Sequence, residues 1–471
     1  MEEAVSQHNR QAGTPHRSRS VLEQINPHAA GIDCGAAAHH VAVPPDRDAE
    51  PVQRFATFTA DLGRLADWLV TCGITSVAME ATGVYWIPVY ELLESRGLQV
   101  VLVNARHVKN VPGKKSDVSD CEWLRDLHSV GLLRGSFRPD ACIVPLRTYL
   151  RHRQTLIETA STAIQRMQKA LVSMNLQLPL VVSDLSGVTG LRIVRDLLAG
   201  QRDPQQLAQH RDPRCHATQA EITAALTGSY RADYLFVLAQ ELALFDVCQT
   251  QIAACDHAIE QQLATLAAAR PAASSPLPAA RQRRRRTPKN NDLNFDARPA
   301  LFQLTGGIDL TQVDGLAPLT AVKLLAEIGT DMRRWPSAKH FTSWLTLAPQ
   351  NKITGGRRIS SRTQPSANRA AGILRMVAMS LGRTNTALGA FYRRLSARIG
   401  KPQAITATAR KLAVLVYRTL NGTLVYQDPG ADVYNATQRA RILRHLRQRA
   451  ATLGFDLVDR TTGELLSPGV S

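Results

Sequence analysis

Four carboxylates carry the chemistry this sequence offers. Asp33 interrupts the apolar run from Ala29 to Cys34, and Glu80 closes the run from Ile74 to Met79. Asp117 and Asp120 stand at i and i+3 at the start of a helical stretch, so both face the same way. A carboxylate at the mouth of a buried strand is costly unless something cationic meets it. Several like charges brought close together cannot all stay ionised without a cation. Hard oxygen donors of this kind suit Mg²⁺, with Mn²⁺ as the alternative. Two such ions can activate a nucleophile and stabilise the leaving oxygen in phosphodiester chemistry. Lys114 and Lys115, just before the pair, are placed to hold a nucleic-acid backbone. Taken singly, each acid has a plainer use. Asp33 can end a strand in a turn, Glu80 can pair with an arginine, and Asp117 and Asp120 can cap a helix.

The elements that must position these acids follow from the apolar pattern. Residues 27–145 alternate strands and helices. The runs Ala29 to Cys34, His40 to Val43 and Gln53 to Phe58 read as three strands. Asp61 to Val70 has helical spacing, with Leu62, Leu65 and Leu69 on one face. A strand Ile74 to Met79, a helix Val84 to Arg96, a strand Gln99 to Val103 and a helix Ser119 to Val130 follow. Three strands and then βαβα is the order of a ribonuclease-H-like α/β fold. In such a sheet the first strand is central, the Glu80 strand lies near it, and the last helix brings its first turn to their ends.

Beyond residue 145 the pattern turns helical. Residues 146–268 hold long stretches from Leu146 to Leu176 and from Tyr230 to Ala268, which read as an antiparallel pair, an intersubunit coiled coil or a plain helical bundle. Residues 269–298 read as a proline-interrupted linker carrying Arg281 and the run Arg283, Arg284, Arg285 and Arg286, suited to phosphate contact. Residues 299–425 read as a further compact, mostly helical domain. There Gly315 turns the chain ahead of an apolar helix from Val322 to Ile328, like a helix-hairpin-helix element whose free amides suit a phosphate. The segment Lys352-Ile353-Thr354-Gly355-Gly356-Arg357-Arg358 pairs a hydroxyl with two glycines and two arginines. Its glycines permit close backbone approach, and its arginines can neutralise a phosphate. Residues 1–26 read as a disordered arm and residues 426–471 as a basic tail.

The formal net charge of +18 points to a polyanionic partner, most simply nucleic acid. Seven cysteines without a CxxC pair argue against a zinc site or a disulfide framework. Reduced, mostly buried thiols in a cytosol fit that usage. No signal peptide and no apolar run long enough to cross a membrane is read from the sequence.

Gly31-Ile32-Asp33, Met79-Glu80-Ala81-Thr82-Gly83-Val84-Tyr85-Trp86 and Lys115-Ser116-Asp117-Val118-Ser119-Asp120 closely resemble the DEDD transposases of bacterial insertion sequences. This is the "IS one-ten" family, related to the Piv invertases. The resemblance resumes in Phe341 to Pro349, Ile353 to Arg358, Asn368 to Arg375 and Ala404 to Tyr417. It implies a RuvC-like catalytic domain, a coiled-coil middle and a C-terminal transposase domain. It implies Mg²⁺ at Asp33, Glu80, Asp117 and Asp120. It also implies donor and target DNA, a guide RNA from the element itself, and dimers paired into tetramers. In that scheme a serine attacks the phosphodiester and holds the cut strand. This chain has Thr354 at that position, with Ser360 and Ser361 nearby as substitutes. Threonine keeps the hydroxyl but adds a methyl group that stiffens χ1. Two other readings stay open on the residues alone. One is a RuvC-like metal-dependent junction nuclease that cuts by water, and the other is a catalytically inactive nucleic-acid-binding relative.

Overall fold

The computed structural model describes residues 23–81, 83–104, 117–280, 291–460 and 462–463, with the side chains of residues 117–119 not described. The chain divides into two compact units, residues 1–138 and 139–471.

The first unit is built on five strands: β1 (Ala29–Cys34), β2 (Ala38–Ala42), β3 (Val52–Ala56), β4 (Ser76–Glu80) and β5 (Gln99–Val103). Their order in the sheet is β3-β2-β1-β4-β5, so β1 is central. The β1–β2 and β2–β3 pairs are antiparallel, whereas β1–β4 and β4–β5 are parallel. Parallel neighbours need a crossover, and helix α1 (Thr59–Thr71) and helix α2 (Trp86–Ser95) supply them. Side chains alternate along a strand. Ala30, Ile32 and Cys34 of β1 join Val77 and Met79 of β4 in one core, with Leu62, Leu65 and Leu69 of α1 packed over them. The expected helix over Asp61 to Val70 therefore forms, with that predicted face buried. The opposite face of β1 carries Gly31 and Asp33, and helix α3 (Asp117–Ser129) covers it.

The second unit opens on α4 (Val144–Ser173), followed by α5 (Val188–Leu198), α6 (Gln219–Ala225) and the long α7 (Ala232–Ala268). Helices α4 and α7 run antiparallel, which their cross-links show: Arg153 meets Asp256 and Arg166 meets Glu241. Buried residues recur every three or four positions on both, from Leu146 to Leu171 on α4 and from Leu238 to Leu266 on α7. Within the chain these two stretches pair antiparallel. One expectation needs correction. Helix α7 is long and apolar enough, by length and composition, to cross a membrane. Its polar positions are spaced among apolar residues that face outward, such as Phe236 and Val247, so no continuous apolar run announced it. In the fold its buried stripe lies on α4, and that stripe includes the ion-paired Asp256.

The rest of the second unit is α8 (Arg298–Leu304), α9 (Pro318–Ile328), α10 (Ala338–Trp344), a hairpin of β6 (Lys352–Thr354) and β7 (Arg357–Ser360), α11 (Arg369–Leu381), α12 (Ala387–Ile399), α13 (Lys401–Leu420) and α14 (Gly430–Thr452). An aromatic cluster joins Trp335, Phe341, Trp344 and Tyr417, with the Trp335 ring centroid 4.9 Å from those of Phe341 and Trp344. Tyr417 Oη donates to the Trp335 carbonyl at 2.8 Å, so the buried hydroxyl is satisfied.

Candidate active site

Asp33 is the fifth residue of β1 and Glu80 the last of β4, and both are half-buried. Ile32 lies opposite Met79 in the parallel ladder, so one step further along brings Asp33 beside Glu80. In-register neighbours on parallel strands point to the same face. That face is the one α3 covers. The two carboxylates thus leave the sheet together at the C-terminal ends of adjacent central strands.

Gly31 explains how α3 comes so close. A Cβ built there would sit 2.1 Å from the Cys121 carbonyl oxygen and 2.4 Å from the Arg125 amide nitrogen. Only a residue without a side chain leaves room for the helix backbone. The direction of α3 follows from its far end, where buried His128 hydrogen-bonds Ser76 at the start of β4. The helix therefore runs antiparallel to β4, and its first turn points toward Asp33 and Glu80. Moving from Gly31 to Asp33 advances roughly 7 Å along the strand. Moving from Cys121 back to Asp117 covers about 6 Å along the helix, in the same direction. Asp120 is half-buried in that first turn. Arg125 fixes the helix further by donating to the Val43 carbonyl at 2.8 Å.

The electrostatics at the strand ends are those of clustered negative charge. The Cys34 thiol is pushed up to about 12, by burial first and then by the Asp33 and Glu80 carboxylates. The Cys121 thiol is likewise pushed up to about 12, chiefly by burial; the hydrogen bond from the Glu122 backbone opposes this, and the Glu122 and Asp33 carboxylates add to it. Among the described residues no group of three or more His, Cys, Asp or Glu side chains is arranged to hold a metal ion. The side chain of Asp117 lies outside the described residues, as do Thr82, Lys114, Lys115, Arg281, Arg283, Arg284, Arg285, Arg286 and the arm through residue 22.

Glu80 is followed by a turn with Gly83 at φ 56°, where a left-handed backbone favours glycine. Trp86 Nε1 donates to the Gly83 carbonyl at 3.2 Å and holds that turn against α2. Sequence reasoning missed what Trp86 does next. The Arg138 guanidinium lies 5.7 Å from the Trp86 ring centroid and 4.3 Å from that of Tyr90. It also donates to Glu91 at 2.6 Å. Aromatic and acidic residues at i, i+4 and i+5 on α2 were the signal for a cation partner. Gly31 was missed too, although a glycine in the middle of an apolar strand marks close backbone approach.

In the second unit, Thr354 ends β6 and is exposed. Gly355 and Gly356 follow with φ of 56° and 74°, so they make a two-residue hairpin turn of the I′ kind. Thr354 pairs with Arg357, and Ile353 with Arg358. A Cβ at either glycine would meet nothing within 4 Å, so their freedom serves the turn and leaves an open approach. Arg357 and Arg358 are exposed beside it, while Ser360 closes β7 half-buried and Ser361 is exposed. Gly315 behaves differently. Its φ is 83°, and a Cβ would sit 2.5 Å from Val377 of α11. Its missing side chain serves helix packing, and neighbouring Asp314 is buried and accepts from Tyr426 Oη at 2.7 Å.

A first prediction follows from the α3 contact. Gly31→Ala is expected to cost about 1–3 kcal/mol or more, because the clash is with backbone that cannot rotate away. The unfolding midpoint and strand cleavage should fall together. An unchanged midpoint would show that α3 does not lie on β1 as described.

Residues 30–176 match an IS110-type DEDD model described as Transposase, which takes in the sheet and reaches the end of α4. Residues 309–393 match a second model, described as Transposase IS116/IS110/IS902 family, which takes in the Gly315 turn, the Thr354 hairpin and α11. No curated protein sequence matches the chain. The two models fall in chain order on the two segments that hold the candidate residues, so both segments are similar to transposases of the IS110 type.

Proposed function

We propose that the chain is an insertion-sequence recombinase that cuts and transfers DNA strands with a divalent metal ion and a protein hydroxyl. The observation that carries this reading is the meeting of Asp33 and Glu80 at adjacent strand ends beneath the first turn of α3. The strand order, with only β2 reversed, supports a RuvC-like, ribonuclease-H-like sheet. The donor set fits Mg²⁺ or Mn²⁺, because the charge gathered there is carboxylate and the nearby thiols are held protonated. Asp33, Glu80, Asp117 and Asp120 would hold the metal. When bound, it supplies neutralisation of the charge that builds on a phosphodiester under attack.

The rest of the chemistry falls to the hairpin. Gly355 and Gly356 let backbone approach the phosphate, and Arg357 and Arg358 balance its charge. Thr354 Oγ1 forms the new bond to phosphorus as the bond to the departing deoxyribose oxygen breaks. That oxygen takes up a proton to match the one the hydroxyl gives up. The family resemblance further supports direction by an RNA from the element and synapsis of dimers as a tetramer.

The test is a denaturing-gel assay for a covalent protein–DNA adduct, with Mg²⁺, the element's RNA and a labelled donor junction. The adduct is expected with the natural chain and with Thr354→Ser, and absent with Thr354→Ala. Cleavage that survives in Thr354→Ala without any adduct in the natural chain would replace this reading with that of a nuclease cutting by water.

A further inference from the structure

We propose that α14 is a DNA-docking arm that grips the phosphate backbone of a duplex outside the catalytic site. The helix lies beyond both matched segments. It carries Arg439, Arg441, Arg444, Arg447 and Arg449, with His445 among them, and Asp432 is its sole carboxylate. Among the described residues none of these arginines has an acidic partner. Four of them are exposed, and Arg447 is half-buried.

The helix is anchored near its start. Ala431 is its one buried residue. Arg394 of α12 donates to Tyr434 Oη at 2.9 Å, and the Phe391 and Tyr434 rings meet edge to face at 6.3 Å. Lys411 of α13 lies 4.6 Å from the Phe391 ring centroid and completes the anchor. Past Tyr434 the arginines fan around most of the helix, about 100° apart per residue. Ile442, Leu446 and Leu453 occupy the remaining arc and are exposed.

Covering that apolar arc with a second copy of the same helix would set like charges against one another at every turn. A polyanion removes the conflict. From Arg439 to Arg449 the helix advances about 15 Å, and a DNA duplex presents on the order of nine phosphates over that length. Arg441 and Arg444, some 60° apart around the axis, can face the same duplex together, and its phosphates are dense enough to meet each of them. The family places DNA among the chain's substrates, and this inference rests on that reading.

The experiment measures the salt dependence of binding to a mixed-sequence DNA duplex, with a chelator present so that no strand is cut. The natural chain is compared with a fourfold Arg→Gln variant at positions 439, 441, 444 and 449 and with the matching fourfold Arg→Lys variant. Circular dichroism checks that each keeps its helix. The Gln variant is expected to show a log–log salt slope shallower by about 2, and the Lys variant an unchanged slope. Equal slopes in all three would show that α14 is simply a solvated helix and overturn the inference alone. A change seen with duplex RNA and not with DNA would overturn it as well. A natural chain that binds no DNA at all would overturn both this inference and the recombinase reading.

Discussion

Glu80→Gln is expected to lower strand cleavage by roughly three orders of magnitude or more, while leaving binding to DNA largely intact. The glutamine keeps the size and the strand-end position but removes the charge. Glu80 closes β4 next to the end of β1, where the register sets it beside Asp33. The backbone there is fixed by parallel pairing on both sides, with Glu80 opposite Val103 of β5. Loss of the charge should therefore act on the chemistry and not on the fold. Asp33→Asn should behave alike, and combining the two should add little, since on the proposed reading both hold the same ion. The assay is single-turnover cleavage of a labelled junction alongside a binding titration. Full cleavage by both single variants would remove the metal site from this pair of strands.

Asp256→Ala is expected to destabilise the second unit by about 3–5 kcal/mol. Arg153 is 1% exposed and Asp256 3% exposed, at facing positions on α4 and α7. The guanidinium donates to both carboxylate oxygens, at 2.6 Å from Nε and 3.2 Å from Nη2. It also reaches the carbonyls of Asn291 and Asp292 at 3.1 Å and 3.0 Å. Deleting the carboxylate leaves a buried cation with only carbonyl dipoles for company. Replacing both partners, as Arg153→Met with Asp256→Leu, should recover most of the loss, because no charge then stays buried. The measurement is denaturant unfolding followed by helical signal. A single variant as stable as the natural chain would mean that water enters beside Arg153.

Much of the first unit is legible because its strands are short apolar runs between turn residues. Gln99–Val103 has the predicted bounds, since Gly97 stops the helix before it and the run is unbroken. Helix α12 is closed in the same way, by Gly400 at φ 87°. Helix α9 begins at Pro318, earlier than the apolar run from Val322 suggests. Proline at the first turn is preorganised for a helix but carries no periodic signal. The β6–β7 hairpin was hidden for the opposite reason. Nearly all its residues are exposed, so no alternation of burial marks it, and only the paired glycines hint at the turn. Of the candidate site, Asp33 and Glu80 stand out because an acid at the end of an apolar strand needs an explanation. The helix that completes the site was readable as a helix. Its seat on Gly31 was not, because that depends on a contact between residues some ninety positions apart.

The clamp on Arg138 also bears on the edges of the sheet. An edge strand offers unpaired backbone groups to any other strand it meets. On one side β3 is short and carries Gln53 and Arg54, which make poor partners for stacking sheets. On the other side β5 is an apolar strand, and the segment leading out of the first unit runs past it. Ser136 donates its amide to the Leu102 carbonyl at 2.6 Å, and two residues later Arg138 is held between Trp86 and Tyr90. The exit segment thus doubles as a guard on the exposed flank of β5. A fragment cut just after α3 would keep every candidate acid and lose that guard, trading a shorter chain for a strand edge open to self-association.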